Sequence, residues 1–275
     1  MNSAPGLVVS DIDGTLIDSR ERVIPRLREV ITRLTVGGAQ LALATGRPHR
    51  WLNPVLNQLS VRPVCVCANG AVLYDAASDR VLRSHTLDPA VMAAVTAAAR
   101  EVLAPHGGVG VAVERVGTSA LDPEEDCFVV TEEYFPAWEG PGFSVEPEAD
   151  VLAQPAVKLL LRNVNLSAAQ MFELVNPVIA PTDAHITFSM SEGLLEVAAP
   201  GVTKALGVTD LSEMHRVDQS ATVAFGDMPN DIEMLRWVGL GVAMGNARPE
   251  VKEAADHVTA TNNEGGVADV LERWF

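Results

Sequence analysis

The chain has 275 residues, 48% hydrophobic and 20% charged, a composition typical of a globular protein with a large buried core. Its 36 acidic residues against 20 basic ones give a formal net charge of −16, which repels nucleic acids and anionic membrane surfaces. No apolar run is long enough for a membrane span, and no signal peptide is visible at the N-terminus. We therefore expect a cytoplasmic protein of about two domains that binds neither nucleic acid nor membrane.

The cysteine content is also typical of a cytoplasmic protein. Cys65, Cys67 and Cys127 are odd in number and lie in apolar surroundings, which favours reduced thiols in the core over disulfides. A zinc site is disfavoured, because Cys65 and Cys67 lack a second matching pair and the six histidines show no ligand-like spacing.

The N-terminal part of the chain alternates predicted strands with an amphipathic helix. Residues 7–10 form a short apolar run that predicts a buried strand. Residues 25–36 carry apolar side chains at helical spacing, and Gly37-Gly38 ends that helix. Further short apolar runs at 41–44 and 64–67 predict central parallel strands.

The C-terminal part repeats this alternation, and the middle of the chain differs from both ends. Near the C-terminus we predict strands at 222–225, 240–243 and 257–260, and helices at 232–237 and 249–255. In the middle, Asp88-Pro89 and Ser167 each begin a predicted helix. The runs around these two helices predict a mostly antiparallel sheet, with strands at 108–113, 128–131, 157–162, 186–190 and 194–198. The sequence thus predicts a doubly wound, parallel-sheet α/β core (1–83 and 199–275) with an inserted α+β domain (84–198).

Polar motifs follow four of the predicted core strands. They begin at Asp11, Thr45, Asn69 and Gly226, each directly after an apolar run. Ligands of open α/β sheets bind at the carboxyl ends of parallel strands, so we expect these four segments to share one site. Two carboxylates one residue apart, Asp11 and Asp13, are hard oxygen ligands of the kind that suits Mg²⁺.

These motifs resemble those of the haloacid dehalogenase (HAD) superfamily of phosphotransferases, and the insertion resembles the large α/β cap of its Cof-type phosphatases (subfamily IIB). The four motifs stand in the order of the family and cover both ends of the chain. They are Asp11-Ile-Asp13-Gly-Thr15, Thr45-Gly-Arg47, Gly201-Val-Thr-Lys204 and Gly226-Asp227-Met-Pro-Asn230-Asp231.

The resemblance implies a phosphatase that works through an aspartyl-phosphate intermediate. Asp11 is the expected nucleophile, because a carboxylate is already ionised at neutral pH. Asp13 is expected to protonate the leaving alcohol and then to deprotonate the attacking water. Its main-chain carbonyl, as in the family, is expected to meet the metal, which leaves its side chain free for this role.

The resemblance also assigns metal and phosphate contacts. Asp11 and Asp227 are expected to bind Mg²⁺ directly, and Asp231 to hold a metal-bound water, to orient Lys204 or to cap the helix after Pro229. Phosphoryl oxygens are expected to meet the Thr45 hydroxyl, the Gly46 amide and the Lys204 ammonium. The remaining candidates for substrate binding are Arg47, Asn69, Gly70 and Asn230. Arg47 could instead be a surface base, although its position beside Thr45 favours substrate contact, and Asn69 fits a simple turn residue equally well.

Three functions fit the sequence. The first is a Mg²⁺-dependent phosphomonoester hydrolase that acts on a small phosphorylated metabolite, such as a sugar phosphate. The second is a phosphomutase that uses Asp11 and Asp13 but returns the phosphoryl group to a sugar. The third is a catalytically silent protein that binds a phosphorylated metabolite. The intact pair of Asp11 and Asp13 argues against this third function.

Overall fold

The computed structural model describes residues 3–136 and 142–275, and the chain divides into two compact units. The first unit combines the two ends of the chain, Met1–Arg83 and Thr203–Phe275. The second unit is Ser84–Val202, which lies between them in sequence. Within the described ranges, no helix is both long and apolar enough to cross a bilayer.

The strands of the described chain are, in order, β1 (Leu7–Ser10), β2 (Gln40–Ala44), β3 (Val64–Cys67), β4 (Val72–Asp75), β5 (Arg80–Ser84), β6 (Gly110–Glu114), β7 (Phe128–Val130), β8 (Ser144–Val145), β9 (Lys158–Ser167), β10 (His185–Thr187), β11 (Glu192–Ala198), β12 (Thr222–Gly226), β13 (Leu240–Ala243) and β14 (His257–Val258). The α-helices are α1 (Pro25–Val36), α2 (Asn53–Leu56), α3 (Pro89–Leu103), α4 (Glu124–Cys127), α5 (Glu148–Val151), α6 (Ala168–Val175), α7 (Lys204–His215), α8 (Ile232–Trp237), α9 (Pro249–Ala254) and α10 (Gly266–Leu271).

The first unit is built on one sheet whose described strands follow the order β14-β13-β12-β1-β2-β3-β4-β5. From β14 to β3 every neighbouring pair is parallel, and β4 then runs antiparallel to β3. Strand β1 lies in the middle, with Leu7 beside both Gln40 and Thr222. All four residues of β1 are buried, as a strand covered on both faces requires. The predicted parallel α/β core is confirmed.

Local patterns account for the helices of this unit. Helix α1 begins with Pro25 at its first turn and buries Leu27, Val30, Ile31 and Leu34, which is the predicted apolar face. It packs on β2, while α7 contacts β2 and β3, and α8 contacts β12 and β13. The helices therefore cover the parallel strands and bury their side chains.

The second unit has its own sheet and core. Its described strands follow the order β10-β11-β9-β6-β7-β8, antiparallel except for the β7–β8 pair. Helices α3 and α6 pack on β9 and on each other. Met92 and Met171 of these helices are buried in one cluster with strand residues such as Leu159. The predicted α+β architecture of the insertion is confirmed.

Two capping predictions in this unit are confirmed. The Asp88 carboxylate accepts a hydrogen bond from the Ala90 amide at 2.8 Å and so caps α3. Ser167 and Gln170 form a reciprocal capping box at the start of α6.

Strand ends are where the sequence-based prediction differs from the structure. Strand β14 stops at Val258 rather than residue 260, although Thr259 still donates a backbone hydrogen bond to Ala243 at 3.0 Å. Strand β9 continues to Ser167, five residues beyond its predicted end, because β11 pairs with it as far as Glu192 opposite Ser167. In both cases the partner strand, which the local sequence does not reveal, sets the length.

All three cysteines are buried thiols, as predicted. Cys65 and Cys67 lie on β3, and Cys127 ends α4. Burial raises the pKa of the Cys65 thiol to about 12. This thiol therefore stays protonated at neutral pH, which fits a packing role.

Candidate functional site

Parallel strands bring four polar segments to one edge of the first unit. Strands β12, β1, β2 and β3 are consecutive in the sheet and run in the same direction. Their carboxyl ends therefore lie side by side, and the chain leaves them at residues 11, 45, 68 and 227. This is the edge at which open α/β sheets bind ligands.

The turn after β1 holds Asp11 at this edge. The Asp11 amide donates to the Phe225 carbonyl at 3.0 Å, and the Asp11 carbonyl accepts from the Leu16 amide at 3.2 Å. Gly14 in this turn has φ 75°, a conformation that favours glycine. A Cβ atom at Gly14 would also lie 2.4 Å from an oxygen of Asp227. The glycine thus lets the turn approach the Asp227 carboxylate closely.

Lys204, the first residue of α7, is the central cation of the site. Its side chain is only 1% exposed, and its ammonium donates to Asp11 Oδ1 at 2.6 Å and to Asp231 Oδ1 at 2.7 Å. A cation in the first turn of a helix opposes the helix dipole. The two carboxylates supply the compensating charge, because a buried ammonium without such partners is strongly destabilising.

Asp231 links Lys204 to the turn after β12. Its Oδ2 atom accepts hydrogen bonds from the Asp227 and Met228 amides, each at 3.0 Å, while Oδ1 accepts from Lys204. The residue is fully buried. The structure thus combines two of the alternatives left open by the sequence, since Asp231 orients Lys204 and also binds the backbone amides ahead of α8.

Three carboxylates form the acidic triad of the site, Asp11, Asp227 and Asp231. Each has an oxygen within 4.8 Å of one from each of the other two, and all three residues are buried. Among the described residues this is the group of acidic or ligating side chains with a spacing that suits a metal ion. Three carboxylates and one ammonium leave a formal charge of −2, so a divalent cation would neutralise the site.

The pKa values of Asp11, Asp227 and Lys204 reflect the same deficit of positive charge. Burial raises the pKa of Asp11 well above its usual value, against the opposing effect of Lys204. Burial, with the nearby Asp231, raises the pKa of Asp227 to about 7. Burial disfavours the ammonium of Lys204, but Asp11 and Asp231 outweigh it and raise the pKa of Lys204 above its usual value. The all-oxygen donor set suits a hard divalent cation such as Mg²⁺.

Asp13 lies apart from the acidic triad and is paired with Arg47. The Arg47 guanidinium binds both oxygens of the Asp13 carboxylate, with Nε at 2.8 Å from Oδ2. The Asp13 side chain is 55% exposed, whereas that of Arg47 is 20% exposed. The Asp13 side chain is thus not part of the acidic triad, and the Arg47 side chain expected at the substrate is engaged by Asp13.

The turns after β2 and β3 interlock. Thr45 is fully buried, and its hydroxyl oxygen accepts from the Arg47 amide at 3.1 Å, with Gly46 between them in the turn. The Asn69 amide donates to the Thr45 carbonyl at 3.0 Å. Asn69 has φ 57°, so the left-handed turn that the sequence left open is present.

Asn230 joins this pair of turns to the segment after β12. Its Nδ2 atom donates to Asn69 Oδ1 at 3.0 Å, and its Oδ1 atom is buried without a hydrogen-bond partner. Gly70 packs against the start of α7, since a Cβ atom there would lie 2.0 Å from the Thr203 carbonyl oxygen. All the predicted site residues thus belong to the first unit. Their contacts form three groups, centred on Lys204, on Arg47 and on Asn230.

Comparisons with known proteins agree with this geometry. A family model of haloacid dehalogenase-like hydrolases matches residues 8–271. A putative phosphatase of Haemophilus influenzae is 31% identical over 269 residues, covering 98% of this chain and 97% of its own. The chain belongs to the haloacid dehalogenase superfamily.

Further relatives within the superfamily are similar over their whole length. The 5-amino-6-(5-phospho-D-ribitylamino)uracil phosphatase YitU of Bacillus subtilis is 27% identical, covering 100% of this chain and 99% of its own. The structure of a superfamily phosphatase from Bacteroides thetaiotaomicron superposes with a TM-score of 0.78 at 22% identity, covering 98% of this chain and 95% of the other. The structure of a subclass IIB sugar phosphatase of the superfamily superposes with a TM-score of 0.77 at 23% identity, covering 97% of this chain and 98% of the other, and so shares the fold of this chain. The chain is a hydrolase, an HAD-type phosphatase.

Asn246 also contacts the site, and the sequence analysis did not include it among the site residues. It lies in the turn after β13, and its Nδ2 atom donates to the Gly14 carbonyl at 2.8 Å and to Asp227 Oδ2 at 3.4 Å. Strand β13 is parallel to β12, so its carboxyl end also reaches the ligand-binding edge. The position of Asn246 after a predicted parallel strand could therefore have identified it as a site residue from the sequence.

Proposed function

We propose that this phosphatase is a Mg²⁺-dependent phosphomonoester hydrolase that works through an aspartyl-phosphate on Asp11 and acts on a small phosphorylated metabolite. The observation that supports it best is the buried contact of Lys204 with Asp11 and Asp231, beside Asp227. A carboxylate held between an ammonium and further carboxylates is suited to attack phosphorus once a cation balances the site.

Asp11 is the proposed nucleophile. One of its oxygens forms a bond to phosphorus, the bond from phosphorus to the ester oxygen breaks, and the phosphoryl group is then carried on Asp11. Lys204 opposes the negative charge on the phosphoryl oxygens throughout, because its position is held by Asp11 and Asp231. When bound by the side chains of Asp11 and Asp227 and the main-chain carbonyl of Asp13, Mg²⁺ would supply the remaining positive charge.

Asp13 is the proposed proton donor and acceptor. It gives a proton to the leaving alkoxide in the first step and takes one from the water that hydrolyses the aspartyl-phosphate in the second. Its exposure of 55% gives it access to both groups, and the two-point contact with Arg47 holds its direction.

Thr45 and its neighbours are the proposed contacts of the phosphoryl group. The Thr45 hydroxyl oxygen already accepts from the Arg47 amide, so its own proton can be donated to a phosphoryl oxygen. The Gly46 amide lies in the same turn. The unpartnered Oδ1 atom of Asn230 is a further polar group that a hydroxyl of the substrate could satisfy.

The proposed substrate class is a small phosphorylated metabolite such as a sugar phosphate. The relative in B. subtilis is named for a substrate that carries a phosphorylated ribityl chain. The groups described above address the phosphate and, through Asn230 Oδ1, one hydroxyl, which does not select one such compound over another.

The first test compares the wild type with Asp11→Asn on a panel of phosphorylated metabolites, with Mg²⁺ and with EDTA. We expect the wild type to release inorganic phosphate only with Mg²⁺, and D11N to lose at least about 10³-fold in kcat. Asp218→Asn is the matched control, because Asp218 is exposed and its side chain caps no helix. Equal activity of D11N and the wild type would contradict the proposal. An isomerised sugar phosphate without phosphate release would identify a phosphomutase instead.

A further inference from the structure

Asn246 stands in a turn fixed to the sheet on two sides. The Met244 amide donates to the Gly226 carbonyl at 3.0 Å, and the Gly245 amide donates to the Ala260 carbonyl at 3.0 Å. The backbone on the N-terminal side of Asn246 is therefore held between the ends of β12 and β14. The residue itself is exposed, so no apolar packing explains its orientation.

The side-chain amide of Asn246 makes three hydrogen bonds to three separate segments. Its Nδ2 atom donates to Gly14 O at 2.8 Å and to Asp227 Oδ2 at 3.4 Å, and its Oδ1 atom accepts from the Asn262 amide at 3.0 Å. Gly14 O and the Asp227 carboxylate can only accept, whereas a backbone amide can only donate. These partners determine the orientation of the Asn246 side-chain amide. In the reversed orientation, Oδ1 would face the two acceptors and Nδ2 would face the donor, so all three hydrogen bonds would be lost.

These contacts act on the metal-binding face of the site. Asp227 receives a hydrogen bond on each oxygen, from Thr15 Oγ1 at 3.1 Å on Oδ1 and from Asn246 on Oδ2. The Gly14 carbonyl, also bound by Asn246, belongs to the turn that carries Asp11 and Asp13. One side chain therefore ties together the two segments that would supply the metal ligands.

We propose that Asn246 is a positioning residue for the metal, which holds the Asp227 carboxylate and the turn of Gly14 in their binding arrangement. The inference rests on the metal site of the proposed function. Hydrogen bonds to a ligating carboxylate fix its direction before the metal binds, and their loss lowers metal affinity. Because Asn246 is exposed, water replaces its hydrogen bonds when the side chain is removed, and the fold is retained.

The test is the affinity for Mg²⁺, measured by calorimetry on the full chain without substrate. We expect Asn246→Ala to bind Mg²⁺ about 10- to 100-fold more weakly than the wild type. In EDTA its melting temperature should match that of the wild type. Asn263→Ala is the matched control, since Asn263 lies in the neighbouring segment and its Oδ1 atom accepts from the exposed Ser19 amide rather than from the site. Its affinity should be unchanged.

The outcomes separate this inference from the proposed function. If the wild type binds Mg²⁺ and N246A binds it equally well, the positioning role is wrong while the metal site stands. If the wild type itself does not bind Mg²⁺, the metal site of the proposed function is wrong. Asn246→Ser, whose hydroxyl is too short to span Gly14 and Asp227, repeats the comparison should N246A be unstable, and wild-type affinity in N246S overturns the role equally.

Discussion

At the scale of single residues, the contact between Arg47 and Asp13 allows the proposed role of Asp13 in protonating the leaving group to be tested. If Arg47 directs Asp13, Arg47→Gln should lower kcat/KM for an alkyl phosphate by about 10². The loss should be much smaller for p-nitrophenyl phosphate, because p-nitrophenolate leaves without a proton. Steady-state kinetics with both substrates measures the difference, and kcat/KM reports only the steps through the first bond cleavage.

Arg20→Gln serves as the control for this prediction, because Arg20 is an exposed arginine in the loop that follows the same turn. It should leave both substrates unaffected. If R47Q instead raises KM equally for the two substrates, Arg47 contacts the substrate, which is the contact that the sequence predicts.

At the scale of secondary-structure elements, the turn after β3 and the start of α7 depend on one glycine. Ala68, Asn69 and Gly70 all have positive φ, and the Cβ of an alanine at Gly70 would lie 2.0 Å from the Thr203 carbonyl oxygen. We expect Gly70→Ala to lower the free energy of unfolding by about 3 kcal/mol, because backbone strain adds to the displacement of α7. Urea unfolding measures the loss.

Gly38→Ala separates the cost of backbone strain from the cost of displacing α7. Gly38 also has positive φ, at 88°, but a Cβ atom there has no neighbour within 4 Å. We expect a loss of only about 1 kcal/mol, from the left-handed conformation alone. Equal losses in the two variants would show that the contact between Gly70 and Thr203 does not restrict α7.

At the scale of the whole molecule, the uncompensated negative charge of the acidic triad should make stability depend on pH and, through the proposed Mg²⁺ site, on metal. The pKa of Asp227 is raised from 3.8 to about 7 in the folded protein. The metal-free protein therefore gains stability as the pH falls from 8 towards 4, and loses that contribution as the pH rises through 7. Asp227→Asn lacks this charge at every pH. Its advantage in free energy of unfolding over the wild type should grow by about 2 kcal/mol from pH 5.5 to pH 8.

Urea unfolding in EDTA at the two pH values tests this, with Asp218→Asn as the control that should show no such change. An advantage of D227N that is independent of pH would contradict the raised pKa.

Mg²⁺ at about 100 times its dissociation constant should add about 2.7 kcal/mol to the free energy of unfolding of the wild type at pH 8. D227N should gain less, because it lacks one ligand.

Much of the fold was predictable because its signals are local. The buried run of β1, the apolar face of α1 and the caps of α3 and α6 each follow from residues within one or two turns of chain. Strand ends such as that of β9 were not predictable, since a partner strand far along the chain decides them.

The candidate site divides in the same way. The sequence by itself determined which residue types stand at the ends of the parallel strands, and therefore that carboxylates, a threonine and an asparagine would meet at one edge, whereas Lys204 was expected there only from the resemblance. Only the tertiary structure decided the pairing of Asp13 with Arg47, the position of Asp231 under Lys204 and the contacts of Asn246. These contacts join residues far apart in sequence, 193 positions between Lys204 and Asp11, and depend on distances of a few ångströms that no local pattern encodes.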